Sequence, residues 1–268
     1  MNANQPIGVF DSGIGGLTVA KAVRKLLPRE RLIYFGDTAH LPYGDKSTAA
    51  IQAYSVKIVD VLLQAGCKLI LIACNSASAA AFELVKEYAG SRAHVVNVID
   101  PVVSHLGIYH AGQKVGLIGT KQTINSGVYT KKVDSLHAGI VLQALATPLL
   151  APMIEEGFQR DEVSDTIIQS YLNQEDLHGI QALVLGCTHY PLIKRQIDAY
   201  FAHQVAIIDS SEIVARAVKE FLETRELLNE GPTGEDRFLV SDFTAAFQHA
   251  TSLFFGKSVK LERYALWE

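Results

Sequence analysis

Apolar residues in this chain come in short blocks that alternate between two spacings. "PIGVF" (6–10), "RLIYFG" (31–36), "KLILIA" (68–73) and "HVVNVI" (94–99) are compact apolar runs of strand length. The segments between them, "GGLTVAKAVRKLL", "STAAIQAYSVKIVDVLLQAG" and "SASAAAFELVKEYAG", place apolar residues at helical intervals. The last of these ends at a glycine suited to a helix C-terminus. A second series of strand-like runs follows: "KVGLIG" (114–119), "AGIVLQAL" (138–145), "ALVLG" (182–186) and "QVAIID" (204–209). Strands this apolar, interleaved with helices, predict parallel sheets covered on both faces. One linker-like run, "NEGPTGED" (229–236), precedes a final strand–helix–strand piece.

The two series read as copies. Phe10 and Ile118, Pro42 and Pro152, Cys74 and Cys187, and Asp100 and Asp209 recur at offsets of 108 to 113 residues. Such landmarks at nearly one offset point to an internal duplication. The expected architecture is therefore α/β, with two lobes built on parallel sheets and related by pseudo-two-fold symmetry. The first lobe is expected over 1–98 plus 211–268, and the second over 99–210. Open α/β sheets bind ligands at the carboxyl ends of their strands, so the cleft between the lobes is the expected site.

Two of the apolar strands end on a thiol. "LILIACNSASAAA" and "ALVLGCTHYPLI" each run from strand to cysteine to a hydroxyl or amide residue and then to a helix start, with Pro191 near the second one's first turn. The first helix is expected to open under a Ser or Asn cap. A helix N-terminus favours negative charge, so both thiols are expected to have their thiolate forms favoured. Two thiols across one cleft suit inversion at carbon: one removes a proton from one face and the other delivers a proton to the opposite face. Reversibility demands that the two groups be alike, and Cys74 and Cys187 are. Cys67, inside "AGCKLIL", reads instead as a small buried hydrophobe.

The neighbours suit a small anionic substrate. Asn75, Ser76 and Thr188 combine short side chains with free backbone N–H groups that can hold carboxylates. His189 adjoins the second thiol and could shuttle its proton or keep it ionised. Asp11 and Ser12 lie where the first strand ends, and a carboxylate there could grip a substrate ammonium. The loop "LPYG" is stiffened by Pro42 and turns at Gly44.

Composition trims the alternatives. Of the 268 residues, 49% are apolar and 19% charged, the net charge is −4, and no Lys/Arg block occurs, which disfavours nucleic acid and polybasic membrane contact. No apolar run reaches the ~18–20 residues that span a bilayer, and no signal peptide is apparent, so a cytoplasmic location is expected. Three cysteines without zinc-type spacing imply neither a disulfide framework nor a metal centre. "GIGGLT" after the first strand, with Asp37 ending the second, partly matches a dinucleotide-binding fingerprint, but Thr18 stands where the third glycine should be. That reading leaves the paired thiols unexplained. A two-lobed ligand-binding protein would share the cleft, but such proteins are usually exported.

Taken together in this order, "GVFDSGIGGLTV", "YFGDTAHLPYGDKS", "ACNSASA", "APMIEEG" and "LGCTHYPLI" resemble bacterial glutamate racemases, from about Ile7 to just beyond Asp209. The resemblance implies two flavodoxin-like domains, usually a homodimer, and cofactor-independent interconversion of L- and D-glutamate for peptidoglycan, without metal or pyridoxal phosphate. It implies that Cys74 takes the proton from D-glutamate and Cys187 from L-glutamate, assisted by Asp11, Asp37, Glu155 and His189. It places substrate contacts on Asp11, Ser12, Pro42, Tyr43, Gly44, Asn75, Ser76, Cys187, Thr188 and His189. One departure is Ser76, where such proteins commonly carry Thr. Aspartate is the main competing substrate, since one methylene is worth only ~1–3 kcal/mol of discrimination.

Overall fold

The computed structural model describes residues 1–158, 162–232 and 234–268. Its strands, in chain order, are β1 (Ile7–Asp11), β2 (Leu32–Gly36), β3 (Leu69–Ile72), β4 (His94–Asn97), β5 (Lys114–Gly119), β6 (Val141–Ala146), β7 (Ala182–Gly186), β8 (Ala206–Asp209), β9 (Arg237–Val240) and β10 (Leu261–Arg263). The helices that bear on the site are, from the first lobe, α1 (Leu17–Leu26), α2 (Thr48–Gln64) and α3 (Asn75–Ala89). They are followed by α4 (Ile99–Tyr109), α5 (Lys121–Asn125), α6 (Val128–Asp134), α7 (Leu150–Glu155), α8 (Glu162–Leu172), α9 (Lys194–Tyr200), α10 (Ser210–Thr224) and α11 (Ala245–Phe255).

The strands form two sheets, and every pairing is parallel. The second sheet has the order β6-β5-β7-β8. The first has β2-β1-β3-β4, the same order, with β9 and β10 added outside β2. The repeated landmarks in the sequence thus correspond to a repeated topology. Cys74 follows β3 and Cys187 follows β7, the matching strand of each sheet.

Strands β1, β2, β3 and β7 are buried at every position, as strands sandwiched between helices should be. Ile7 and Val9 join a core formed with α1 and α10, while Phe10 joins one formed with α2 and α3 on the opposite face. The first core continues through Val98 and Ile118 to Leu183 and Leu185, so one apolar cluster runs through both lobes. Each such fully buried aliphatic side chain contributes about 1.5–3 kcal/mol. A buried ion pair closes the far end: Lys68 Nζ meets Glu30 Oε2 at 2.6 Å and donates to the carbonyls of Ala3 and Leu227. No helix among the described residues is long and apolar enough to cross a membrane.

Candidate active site

The two thiols sit at the carboxyl ends of β3 and β7, and both are nearly buried. Their local settings differ from the sequence expectation. The cap of α3 is neither Ser nor Asn: Cys74 itself is the capping residue, and its Sγ accepts the Ala77 N–H at 3.4 Å while lying 3.6 Å from Ser12 Oγ. Cys187 has no α-helix opening directly behind it. Thr188 and His189 lead into a 3-10 turn (Tyr190–Ile193) with Pro191 at its start, and α9 begins only at Lys194. The partner of Cys187 is His189, whose Nδ1 lies 3.6 Å from Sγ.

Both thiols line one small cavity between the lobes. The first lobe contributes Ser12, Pro42, Tyr43, Gly44, Asn75 and Ser76, and the second contributes Glu155, Thr188 and His189, all residues singled out in the sequence. Thr120, Ala151 and Gly186 complete the wall and were not anticipated. Thr120 follows β5 and caps α5 through Thr123 N–H, so in sequence it resembles any helix-capping threonine.

Asp11 and Asp37 lie behind the wall. Asp11 ends β1, fully buried; its Oδ2 accepts the N–H groups of Gly13 and Gly16, and its Oδ1 has no partner among the described residues. Asn75 is its counterpart: Oδ1 accepts the Tyr129 hydroxyl at 2.8 Å, leaving the buried Nδ2 without an acceptor. One orphaned acceptor and one orphaned donor beside the thiols match the ammonium and carboxylate of an amino acid. Asp37 is saturated instead, by Tyr43, Ser241, Trp267 and His40.

Electrostatics separate the two thiols. Burial, reinforced by the charge of Asp11, pushes the Cys74 thiol up to about 12 despite its contacts with Ala77 N–H and Ser12. The expectation that a helix N-terminus would favour its thiolate is therefore overturned: desolvation outweighs the cap. Asp11 is itself raised by burial, against the pull of His189 and the two glycine N–H groups. Burial disfavours a charged imidazole at His189, yet contacts with Cys187 and Glu155 hold it well above the ordinary value. Its Nε2 stands 2.8 Å from Glu155 Oε1, an ion-pair contact off the line of a good hydrogen bond. Cys187 thus faces an imidazolium, while Cys74 faces a hydroxyl and a carboxylate. Cys67 packs in the first lobe with burial pushing its thiol up to about 12, as a small hydrophobe.

The glycine-rich loop after β1 serves close packing, at Gly15 against the second lobe and at Gly16 within the first. A Cβ on Gly15 would lie 2.3 Å from His189 Cε1, and one on Gly16 would lie 2.6 Å from Asp11 Cβ. Thr18, the residue that broke the dinucleotide pattern, donates its hydroxyl across the lobes to the Thr188 carbonyl at 3.0 Å. Ser76 Oγ lies 2.8 Å from Thr120 Oγ1, a second bridge beside the cavity.

Comparison with known proteins agrees with this geometry. The model of the Asp/Glu/Hydantoin racemase family matches residues 17–218. Glutamate racemase of Geobacter metallireducens is 41% identical over 253 residues, covering 93% of this chain and 92% of its own. That of Thermus thermophilus is 42% identical over 243 residues, or 91% and 90% of the two chains. Among solved structures, glutamate racemase from Francisella tularensis in complex with D-glutamate superposes with a TM-score of 0.92 at 38% identity, over 99% of each chain. By sequence along most of its length and by fold across both lobes, the chain belongs to the Asp/Glu/Hydantoin racemase family.

Proposed function

We propose that this chain is a glutamate racemase that works by proton transfer between two thiols. The observation that carries the reading is the placement of Cys74 and Cys187, from matching strand ends of two lobes, on one cavity lined by Asn75 with its unpaired amide donor, and with the unpaired carboxylate oxygen of Asp11 buried behind the wall. Relatives named glutamate racemase support the choice of substrate.

In the L-to-D direction the substrate ammonium lies against Ser12, with the Asp11 carboxylate behind it, and the α-carboxylate takes the Asn75 amide and the backbone N–H groups near Ser76 and Thr188. Cys187 as thiolate accepts the α-proton, with the His189 imidazolium facing the sulfur and Glu155 behind it. The electron pair left on the α-carbon spreads into the hydrogen-bonded carboxylate. Cys74, which burial holds as a thiol, delivers its proton to the opposite face and becomes the thiolate. The D-to-L direction exchanges the roles. An ammonium beside Asp11 offsets the charge that helps keep Cys74 protonated, so ligand binding itself eases that exchange. Pro42, Tyr43 and Gly44 shape the wall, and Asp37 acts behind Tyr43. The chemistry calls on neither metal nor pyridoxal phosphate.

On this reading the chain supplies D-glutamate for peptidoglycan in the cytoplasm and pairs as a homodimer, as the resemblance implies. The decisive experiment converts L-glutamate in D2O. Early D-glutamate should carry deuterium almost fully while remaining L-glutamate stays nearly unlabelled. Protium in early product, or racemisation of L-aspartate in preference to L-glutamate, would refute the reading.

A further inference from the structure

The saturated carboxylate behind the cavity connects two parts of the chain far apart in sequence. Asp37 Oδ2 accepts the Tyr43 hydroxyl at 2.7 Å, and Oδ1 accepts Trp267 Nε1–H at 2.8 Å and Ser241 Oγ–H at 2.7 Å. His40 Nδ1 stands 3.0 Å from Oδ2. The His40 ring stacks on Tyr54 at 4.0 Å between centroids, and the Trp267 indole meets His40 edge-on at 4.5 Å. Lys57 Nζ lies 5.0 Å over the indole. The indole in the segment after β10 is thereby tied to the loop that lines the cavity.

Tyr43 has 1% of its surface exposed, and among the described residues its hydroxyl bonds to Asp37 alone. The following residue, Gly44, approaches the other lobe so closely that a Cβ there would sit 2.8 Å from Thr120 Cβ. A small rotation of Tyr43 would therefore alter both the cavity wall and the contact between lobes. The carboxylate that fixes the ring is in turn fixed by the indole N–H, a charge-assisted bond in a desolvated setting.

We propose that Trp267 is a positioning residue for the substrate-lining loop Pro42–Gly44, acting through Asp37 on Tyr43. The proposal rests on the reading of the cavity as the glutamate site. Trp267→Phe keeps an aromatic ring against His40 and Tyr54 and removes the donor. The KM for L-glutamate should rise on the order of ten-fold, as expected on losing a hydrogen bond to a charged group, with kcat within about two-fold. The signature is loss of binding that ground and transition state share. In Tyr43→Phe, where the link to Asp37 is already cut, adding Trp267→Phe should change KM little further.

A second measurement needs no variant. Trp267 is the only tryptophan in the chain, so emission excited at the red edge of indole absorption, beyond that of its ten tyrosines, reports on this ring. Saturating D-glutamate should shift that emission, and Tyr43→Phe should abolish the shift. Unchanged KM in Trp267→Phe, a loss confined to kcat, or indole emission indifferent to D-glutamate would each overturn the proposal. A native protein that racemises no glutamate would overturn the functional reading and the proposal with it. An active native protein matched by Trp267→Phe would overturn the proposal alone.

Discussion

Gly15→Ala tests the interlobe packing at the imidazolium. A Cβ at this position would lie 2.3 Å from His189 Cε1, 2.5 Å from Nδ1 and 2.7 Å from Thr188 Oγ1. Ordinary contacts begin near 3.4 Å, so the ring must retreat by about 1 Å or the lobes must part by as much. Neither response is benign. The ring sits between Cys187 and Glu155, and Thr188 accepts the Thr18 hydroxyl that links the lobes. A misplacement of about 1 Å at a reacting group can cost on the order of 100-fold in rate. Overpacking of this kind destabilises by roughly 1–3 kcal/mol. The expected variant is therefore folded, somewhat less stable, and about two orders of magnitude slower in L-glutamate racemisation followed by circular dichroism. Gly13→Ala is the matched control, because among the described residues its Cβ would meet only Leu41, at 3.4 Å. It should stay within about three-fold of the native rate, since ordinary contact requires no movement. Native activity in Gly15→Ala, or equal losses in both variants, would refute the packing argument.

Other outcomes follow from the same geometry. Cys74→Ala and Cys187→Ala should each abolish racemisation, and the double variant should be no worse than either, since the pair acts as one unit; chiral chromatography of product decides. Iodoacetamide near neutral pH should label Cys187, which faces an imidazolium, before Cys74 and Cys67, which burial pushes up to about 12, and D-glutamate should protect it; first labelling of Cys67 on peptide mapping would contradict this. Because the folded value of His189 is raised, its charged form adds stability that is complete below the ordinary ~6.5 of an unfolded imidazole and fades as pH rises through the raised value. Its ring resonances should accordingly show no titration midpoint near 6.5, and His189→Asn should flatten the alkaline fall in denaturation midpoint. Lys68→Met removes the cation that faces buried Glu30 and should cost about 3–5 kcal/mol in urea unfolding.

Much of the architecture was readable because its signals are local. Apolar runs of strand length alternating with helical spacing gave both sheets, and the near-constant offset of the paired landmarks, Cys74 and Cys187 among them, reflects the shared strand order of the two sheets. Cavity residues that adjoin the thiols or sit on a stiff loop, such as Asn75, Thr188 and Tyr43, were visible for the same reason. Residues acting through distant partners were not. Tyr129 reaches Asn75 from α6, and Trp267 reaches Asp37 across 230 positions, with no periodicity to mark either. The ionisation of Cys74 was misread because helix position is written in the sequence, whereas the degree of desolvation is a property of the closed fold.

The bridges between lobes have a kinetic consequence. Ser76 to Thr120, Asn75 to Tyr129 and Thr18 to Thr188 are bonds made by, or next to, residues that adjoin the reacting thiols. Separating the lobes to exchange ligand with solvent must break these bonds, and breaking them disperses the acid–base pair. On the two-thiol reading, a form with separated lobes should be chemically silent, and a carbanion should form only while bulk water is shut out. On that reading, turnover near saturation should slow as solvent viscosity rises, while the isotopic purity of the product should not depend on viscosity.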